Sequence, residues 1–281
     1  FDGSWHDGDV PVMRAADHGA WLGTMVFDGA RTFDGHTPDL DLHCARIIRS
    51  ARAMGLNPPV TGDEIEALVR ERLGYYAADM PLYIRPMMWS TGGMASLIEP
   101  DPDQVGFAIC IEDMPMNTPA DYGLGLSTIC RPTANTAVTD AKAACHYANN
   151  GRIMREARLN GFHNALSMDQ DGFVAETASS NAFLVRDGEI MTPKANGTFL
   201  AGITRARHMS NMRADGIKVH EGVLGFDDFH EADEVFLSGN MMKVTPVRAF
   251  DGTTYEIGAN ANPVTRRVRE MYWDWAASEG S

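Results

Sequence analysis

Lysine is scarce in this chain: only Lys142, Lys194, Lys218 and Lys243 occur in 281 residues. An amine that attacks a carbonyl must be neutral, and lysine reaches that state near pH 7 only where burial or a neighbouring cation lowers its pKa. Few positions can therefore carry Schiff-base chemistry. Lys194 follows Thr-Pro, Lys218 opens the strand-like Lys218-Val-His-Glu221, and Lys243 lies between apolar residues near a turn, so these three read as structural. Lys142 stands in Asp140-Ala-Lys-Ala-Ala-Cys-His-Tyr147 with almost no charge beside it.

Cysteine is equally sparse, and its distribution excludes more than its number. Cys44, Cys110, Cys130 and Cys145 form no C-x-x-C pair and no dense framework, which argues for reduced thiols and against structural zinc. His18, His43 and His146 lack metal-ligand spacing, and no metal is assigned. No stretch reaches the roughly 18 apolar residues of a membrane helix. The segment Phe1-Asp-Gly-Ser-Trp-His lacks the basic-then-apolar layout of a signal peptide, so a cytoplasmic protein is expected. Positive charge is also short: 24 basic residues face 38 acidic ones, a net charge of −14, which argues against nucleic acid or an anionic membrane as partner. Removing the four lysines from those 24 cations leaves 20 arginines, whose planar forks suit small carboxylates and phosphates.

What the chain does contain is core-forming material, with 44% hydrophobic and 22% charged residues, in the soluble globular range. Residues 24–37 alternate β-branched and aromatic residues with Asp-Gly, predicting strands joined by tight turns. Helical spacing follows over 38–56, and Thr61-Gly-Asp-Glu64 opens a second helix to about Ala78. Leu82 to Trp89 and Val105 to Ile111 read as strands, Pro86 marking an edge or bulge. The turn-rich text from Glu112 to Gly123 is the best interdomain linker. The expected domains are 1–115, a linker at 116–123, and 124–281. The second half predicts strands at 124–130, 164–168, 173–185, 234–237 and 244–250, with helices at about 143–159, 204–214 and 263–276. Both halves fit a mixed α/β and α+β fold.

Around Lys142 other residues invite chemistry. Tyr147 lies five residues on, just over one helical turn, and Arg131 ends the preceding strand; an arginine beside a phenol favours phenolate, whereas a helix tyrosine also serves as core packing. Glu176 interrupts an apolar hairpin. Either it is a strand residue bonded to Asn181, or it holds a proton on a heterocyclic nitrogen. Gly202-Ile-Thr-Arg205 places Thr204 at a helix start, where free N–H groups suit an anion, and Arg46 on the first helix is a candidate cation for a phosphate or a solvated helix arginine. Arg31 and Arg85, on the expected first strands, suit a carboxylate substrate or a structural ion pair.

Taken together, Val26-Phe-Asp-Gly-Ala-Arg31, His43-Cys-Ala-Arg46 with Ser50, Tyr83-Ile-Arg-Pro86, Asn135-Thr136 before Ala141-Lys142 and Tyr147, Glu176 with Asn181 and Phe183, Gly202-Ile-Thr-Arg205, and Ala232 to Phe236 through Ser238-Gly239 to Thr245-Pro-Val247 resemble the class IV pyridoxal-phosphate aminotransferases. The closest pattern is that of the branched-chain amino acid aminotransferases, and it runs in collinear order over most of the chain. The resemblance implies a two-domain fold type IV enzyme, D-amino acid aminotransferase-like, acting as a homodimer with pyridoxal 5'-phosphate. It implies Lys142 as the Schiff-base lysine and proton carrier, Glu176 at the pyridine nitrogen, and Tyr147 supported by Arg131 near the phenolic oxygen. Arg46, Gly202, Ile203 and Thr204 would hold the phosphate, with Asn240 also on the cofactor side. Phe27, Leu22, Arg31, Tyr83, Arg85 and Met241 would face the substrates, an amino donor and a 2-oxo acid such as 2-oxoglutarate.

Departures fall on substrate positions more than on cofactor positions. The family's Gly-Gly-Asn-Tyr is Ala144-Cys-His-Tyr147 here, its Thr-Ala turn is Asn240-Met241, and an expected tyrosine is Leu22. A branched-chain or hydrophobic L-amino acid is the favoured donor. The alternatives are an (R)-selective amine or D-amino acid transaminase, a lyase acting on aminodeoxychorismate, and a non-catalytic protein in which Lys142 is merely a helix residue.

Overall fold

The computed structural model describes residues 1, 3–116, 119–258 and 261–279. Asn117 and Thr118 of the expected linker, and Gly280 and Ser281 of the expected second domain, lie outside them. The chain divides into two compact units, the first built from residues 1–115 with Asp140–Tyr147, the second from 116–139 with 148–279.

In the first unit, α1 (His18–Trp21), β1 (Met25–Phe27), β2 (Ala30–Arg31), α2 (Leu40–Ala53), α3 (Gly62–Leu73), β3 (Leu82–Ser90) and β4 (Val105–Asp113) follow in order. The Thr61–Glu64 capping box forms as its spacing predicts, each side chain satisfying the other's backbone N–H, but α3 stops at Leu73 rather than near Ala78. The strands of 24–37 do not make a hairpin with each other. Both β1 and β2 pair antiparallel with β3, in one continuous register that runs from Met25↔Trp89 to Arg31↔Tyr83. They are a single strand interrupted at Asp28-Gly29, and the cause is Pro86. The Pro86 carbonyl accepts from the Asp28 N–H, 3.0 Å, so the edge facing Asp28 is the one where proline lacks a donor. Pro86 thus sits in the central strand, with β4 on its other side, and not at the sheet edge that a proline suggests.

Period-two alternation then sorts this sheet. Val26, Ala30, Ile84 and Met88 are buried on the face that α2 covers with Leu40, Cys44, Ile47 and Ala51. Phe27, Gly29, Arg31, Tyr83, Arg85, Met87, Ala108, Cys110 and Glu112 share the opposite face.

The second unit stacks four layers. A sheet ordered β14-β13-β5-β6-β7 comprises β5 (Gly123–Leu126), β6 (Asn164–Met168), β7 (Val174–Thr177), β13 (Ala249–Phe250) and β14 (Thr253–Thr254), and α4 (Tyr147–Leu159) packs Ile153 and Ala157 onto its Ala165. The other sheet, β10-β9-β8-β11-β12, comprises β8 (Asn181–Arg186), β9 (Glu189–Pro193), β10 (Val219–Gly222), β11 (Glu234–Gly239) and β12 (Lys243–Val247). Alternation along β8 sends Ala182 and Leu184 into the core shared with Leu124, Leu166 and Phe250, and sends Phe183 and Val185 toward α5 (Ile203–Ala214) and α7 (Pro263–Glu279). Strands buried on both faces read as unbroken apolar runs, as Ala182 to Val185 and Val235 to Leu237 do. The short α6 (Phe226–His230) adds Phe229 to the inter-sheet core.

Two expectations need correction. Residues 140–147, expected in the second domain, pack with the first unit: the Phe27 N–H donates to the Lys142 carbonyl, 3.2 Å, Val26 bridges Ala143, and the Lys142 N–H donates to Ser50 Oγ, 3.0 Å. The helix expected from 143 starts with a 3₁₀ turn at Ala144–His146, and Lys142 precedes it in extended chain, so helical spacing does not bring Tyr147 to Lys142. Among the described residues no helix is long and apolar enough to cross a membrane.

Candidate active site

Two clusters gather most of the candidate residues, one in each unit. In the first unit the backbone of Lys142 is held between β1 and α2 by the bonds to Phe27 and Ser50. Its side chain then has a fixed setting. Lys142 Nζ donates to the Tyr147 hydroxyl at 2.5 Å and lies 4.7 Å from the centre of the Phe27 ring. The two rings meet edge to face with centroids 4.8 Å apart, giving the amine two aromatic walls.

Beneath this face Asp28 is fully buried and anchors α2. Its carboxylate accepts from Arg46 Nε at 2.7 Å, from a second Arg46 nitrogen at 2.8 Å, and pairs with His43 Nδ1 at 2.7 Å. Burial alone would raise the Asp28 pKa, but the Arg46 and His43 charges outweigh it and hold the carboxyl far below the usual range. Burial likewise works against the charge of Arg46, and Asp28 more than restores it. Arg46, expected as a phosphate ligand, therefore spends two of its five N–H bonds on a carboxylate inside the protein, which fixes the direction of the rest.

Gly29 is required by a close approach: a Cβ there would stand 2.4 Å from the Tyr83 hydroxyl. Burial pushes that phenol up to about 12, so Tyr83 stays a neutral donor at physiological pH. Arg31, expected at the substrate, has no exposed surface and donates to the Met114 carbonyl. Arg85 keeps some exposure and pairs with Glu112. Leu22 ends α1 with its side chain exposed, and its neighbour Gly23 abuts Cys145.

In the second unit Glu176 is the centre. Arg131 pairs with its Oε1 at 2.8 Å, and Asn181 Nδ2 donates to its Oε2 at 3.1 Å. Arg131 is steadied by Asn150 Oδ1 at 2.6 Å, and its buried Nε has no partner among the described residues. Asn181 is also what excludes a side chain at 202, since a Cβ on Gly202 would lie 2.3 Å from its Oδ1. Gly202 caps α5 with no side-chain bond, leaving the first N–H groups, at Ile203 and Thr204, to face outward at the positive end of a 12-residue helix. Thr204 is itself buried. Asn240 accepts from Lys243 Nζ at 2.6 Å, and Met241 is exposed in the turn before β12. Asp28, Asn150 and Glu112 have no part in the expectations from sequence. Asp28 had a signal, because His43 and Arg46 are spaced to share one helix face, and such a pair of cations implies a buried anion.

The class IV amino-transferase family model matches residues 25–250. The branched-chain-amino-acid aminotransferase of Salmonella typhimurium is 31% identical over 280 residues, 96% of this chain and 88% of that protein. Its counterpart in Pseudomonas aeruginosa is 31% identical over 286 residues, 96% and 91%. Among solved structures, an aminotransferase from Brucella abortus bound to pyridoxal phosphate superposes with a TM-score of 0.95 at 48% identity, covering 99% of this chain and 98% of that one. The Escherichia coli branched-chain amino acid aminotransferase gives 0.87 at 28% identity, covering 96% and 91%. The mixed α/β, fold type IV architecture and the enzyme class expected from the sequence are both borne out, and the chain belongs to the class IV aminotransferases.

Proposed function

We propose that the protein is a pyridoxal-phosphate transaminase that takes the amino group of a branched-chain or other hydrophobic L-amino acid and passes it to a 2-oxo acid. The observation that carries this reading is the Lys142 amine, held against a tyrosine hydroxyl between two aromatic rings. The chemistry of the donor sets fits the cofactor: an amine for its aldehyde, the Glu176 carboxylate for its ring nitrogen, and the uncapped start of α5 with Thr204 for its phosphate. When bound, the group supplies an electron sink for the charge left on the substrate Cα.

The chain's own residues do the rest. Lys142 Nζ accepts the Cα proton and delivers it to the acceptor carbon, with the Tyr147 hydroxyl fixing the direction of its lone pair. Glu176 keeps a proton on the ring nitrogen, while Arg131 and Asn181 fix the orientation of its carboxylate. Arg46, steered by Asp28, and the N–H groups of Ile203 and Thr204 contribute to phosphate binding, and Asn240 stands on the cofactor side. Phe27, Tyr83, Arg85, Leu22 and Met241 contribute to substrate binding. Arg31 supports that face from within. We further propose a cytoplasmic homodimer, a reading supported by four free cysteines and by exposed apolar residues such as Leu97 and Ile98.

A donor panel tests the reading: L-leucine, D-alanine and (R)-1-phenylethylamine, each assayed with 2-oxoglutarate and with pyruvate. L-leucine is expected to lead, and turnover confined to either of the other two overturns the donor assignment. Glu176→Gln should lower kcat by about 10²-fold while the protein keeps its bound-cofactor colour, because the ring loses its proton and not its attachment. Spectra and single-turnover rates on the same preparation check this.

A further inference from the structure

The sheet face that carries Phe27, and with it the Lys142 amine, also carries a charge already answered from within. Arg85 stands one row along from Met87, the partner of Phe27, and successive same-face positions on a strand are about 7 Å apart. Its guanidinium has a nitrogen 3.0 Å from Glu112 Oε2, across the β3–β4 ladder. The other terminal nitrogen reaches Cys110 Sγ at 3.5 Å, and the group lies 5.7 Å from the centre of the Tyr83 ring. Arg31, the other cation of this face, is fully buried.

Next to the pair opens a cavity of about 450 Å³, roofed by the N-terminal segment. Met87 and Ala108 of the sheet and Trp5, Val10 and Val12 of the segment give it an apolar lining. A substrate with a second carboxylate gains from Arg85 only by displacing Glu112, or else it sits beside a like charge. An uncharged side chain meets neither obstacle and buries apolar surface against Met87 and Ala108.

We propose that Glu112 is a specificity-determining residue: by occupying Arg85 it turns the enzyme toward substrates with uncharged side chains and away from dicarboxylates. The proposal rests on the reading of Lys142 as the reacting amine. Glu112 touches no reacting atom and acts through Arg85. 2-Oxoglutarate is then a poorer acceptor than 4-methyl-2-oxopentanoate, and the difference lies in KM.

Glu112→Gln keeps the shape and removes the charge, so it is the test variant. With the holoenzyme and one fixed donor, kcat/KM for 2-oxoglutarate relative to 4-methyl-2-oxopentanoate should rise about fivefold, the size expected for releasing a partly exposed ion pair. The gain should appear in KM for the dicarboxylate alone. Adding Arg85→Met to the same chain should cancel it, a result that general loosening of the sheet does not produce. An unchanged ratio in a coloured, active Glu112→Gln enzyme, or an equal change for both acceptors, overturns the proposal alone. A colourless wild-type protein without turnover removes the transaminase reading, and this inference with it.

Discussion

Replacing Lys142 with alanine abolishes turnover and the borohydride-reducible visible absorption together, lowering the rate by about 10³-fold or more. In the proposed function one amine serves both as the cofactor's point of attachment and as the carrier of the Cα proton, so a single truncation removes two functions. Nothing nearby substitutes for it. The Tyr147 hydroxyl is in contact with Nζ and carries no amine with which to form a Schiff base. The fold should survive the change, because the segment is held by backbone bonds to Phe27 and Ser50 that alanine keeps. Circular dichroism with an unaltered melting curve, alongside absent colour and absent turnover, is the expected result. Retained colour would remove Lys142 from its role.

The largest effect on stability is expected at Asp28. Asp28→Asn leaves Arg46 and His43 packed around a neutral amide, and breaking a buried ion pair from one side costs about 3–5 kcal/mol. For a chain of this length that is a fall in Tm on the order of 10 °C. The pH dependence has a definite sign. The folded-state pKa of Asp28 is depressed, so its contribution is fully present above the unfolded carboxylate value, about 4, and is lost as pH falls below that toward the folded value. The wild-type protein should therefore lose stability steeply on acidification below about pH 4, and Asp28→Asn should flatten that slope. Melting curves of both proteins between pH 7 and 3 check this. Parallel curves would assign the acid sensitivity to other carboxylates.

Local features were legible where one stretch of sequence contains its own partner. The Thr61–Glu64 box satisfies itself within one turn, and the apolar runs of β8 and β11 need both faces buried whatever covers them. What could not be read depends on partners far along the chain. Asp28 looks like a turn residue in Asp-Gly, and only the folding of α2 across it shows that its carboxylate is a hub. Arg31 looks like a cation offered to a substrate, because the strand that buries it returns some fifty residues later. The Glu189–Pro193 strand was missed for a different reason: with only Ile190 and Met191 strongly apolar between Gly188 and Pro193, its local signal is weak, and its two neighbouring strands define it. Of the candidate site, the residues proposed for the cofactor stand out in the sequence as ordered motifs, whereas Glu112 does not, since it gains its meaning only by standing beside Arg85.

The excursion of residues 140–147 has a consequence for how the molecule assembles itself. Ser50 and Lys142 meet across 92 residues of chain, so that contact closes one of the longer loops in the protein. Loop closure over such a span is entropically uphill until many other contacts repay it, which places it among the later events of folding. A ribosome-bound or half-folded chain would carry Lys142 without its aromatic walls. The setting of the amine between Phe27 and Tyr147 thus arrives with the native topology and not before it.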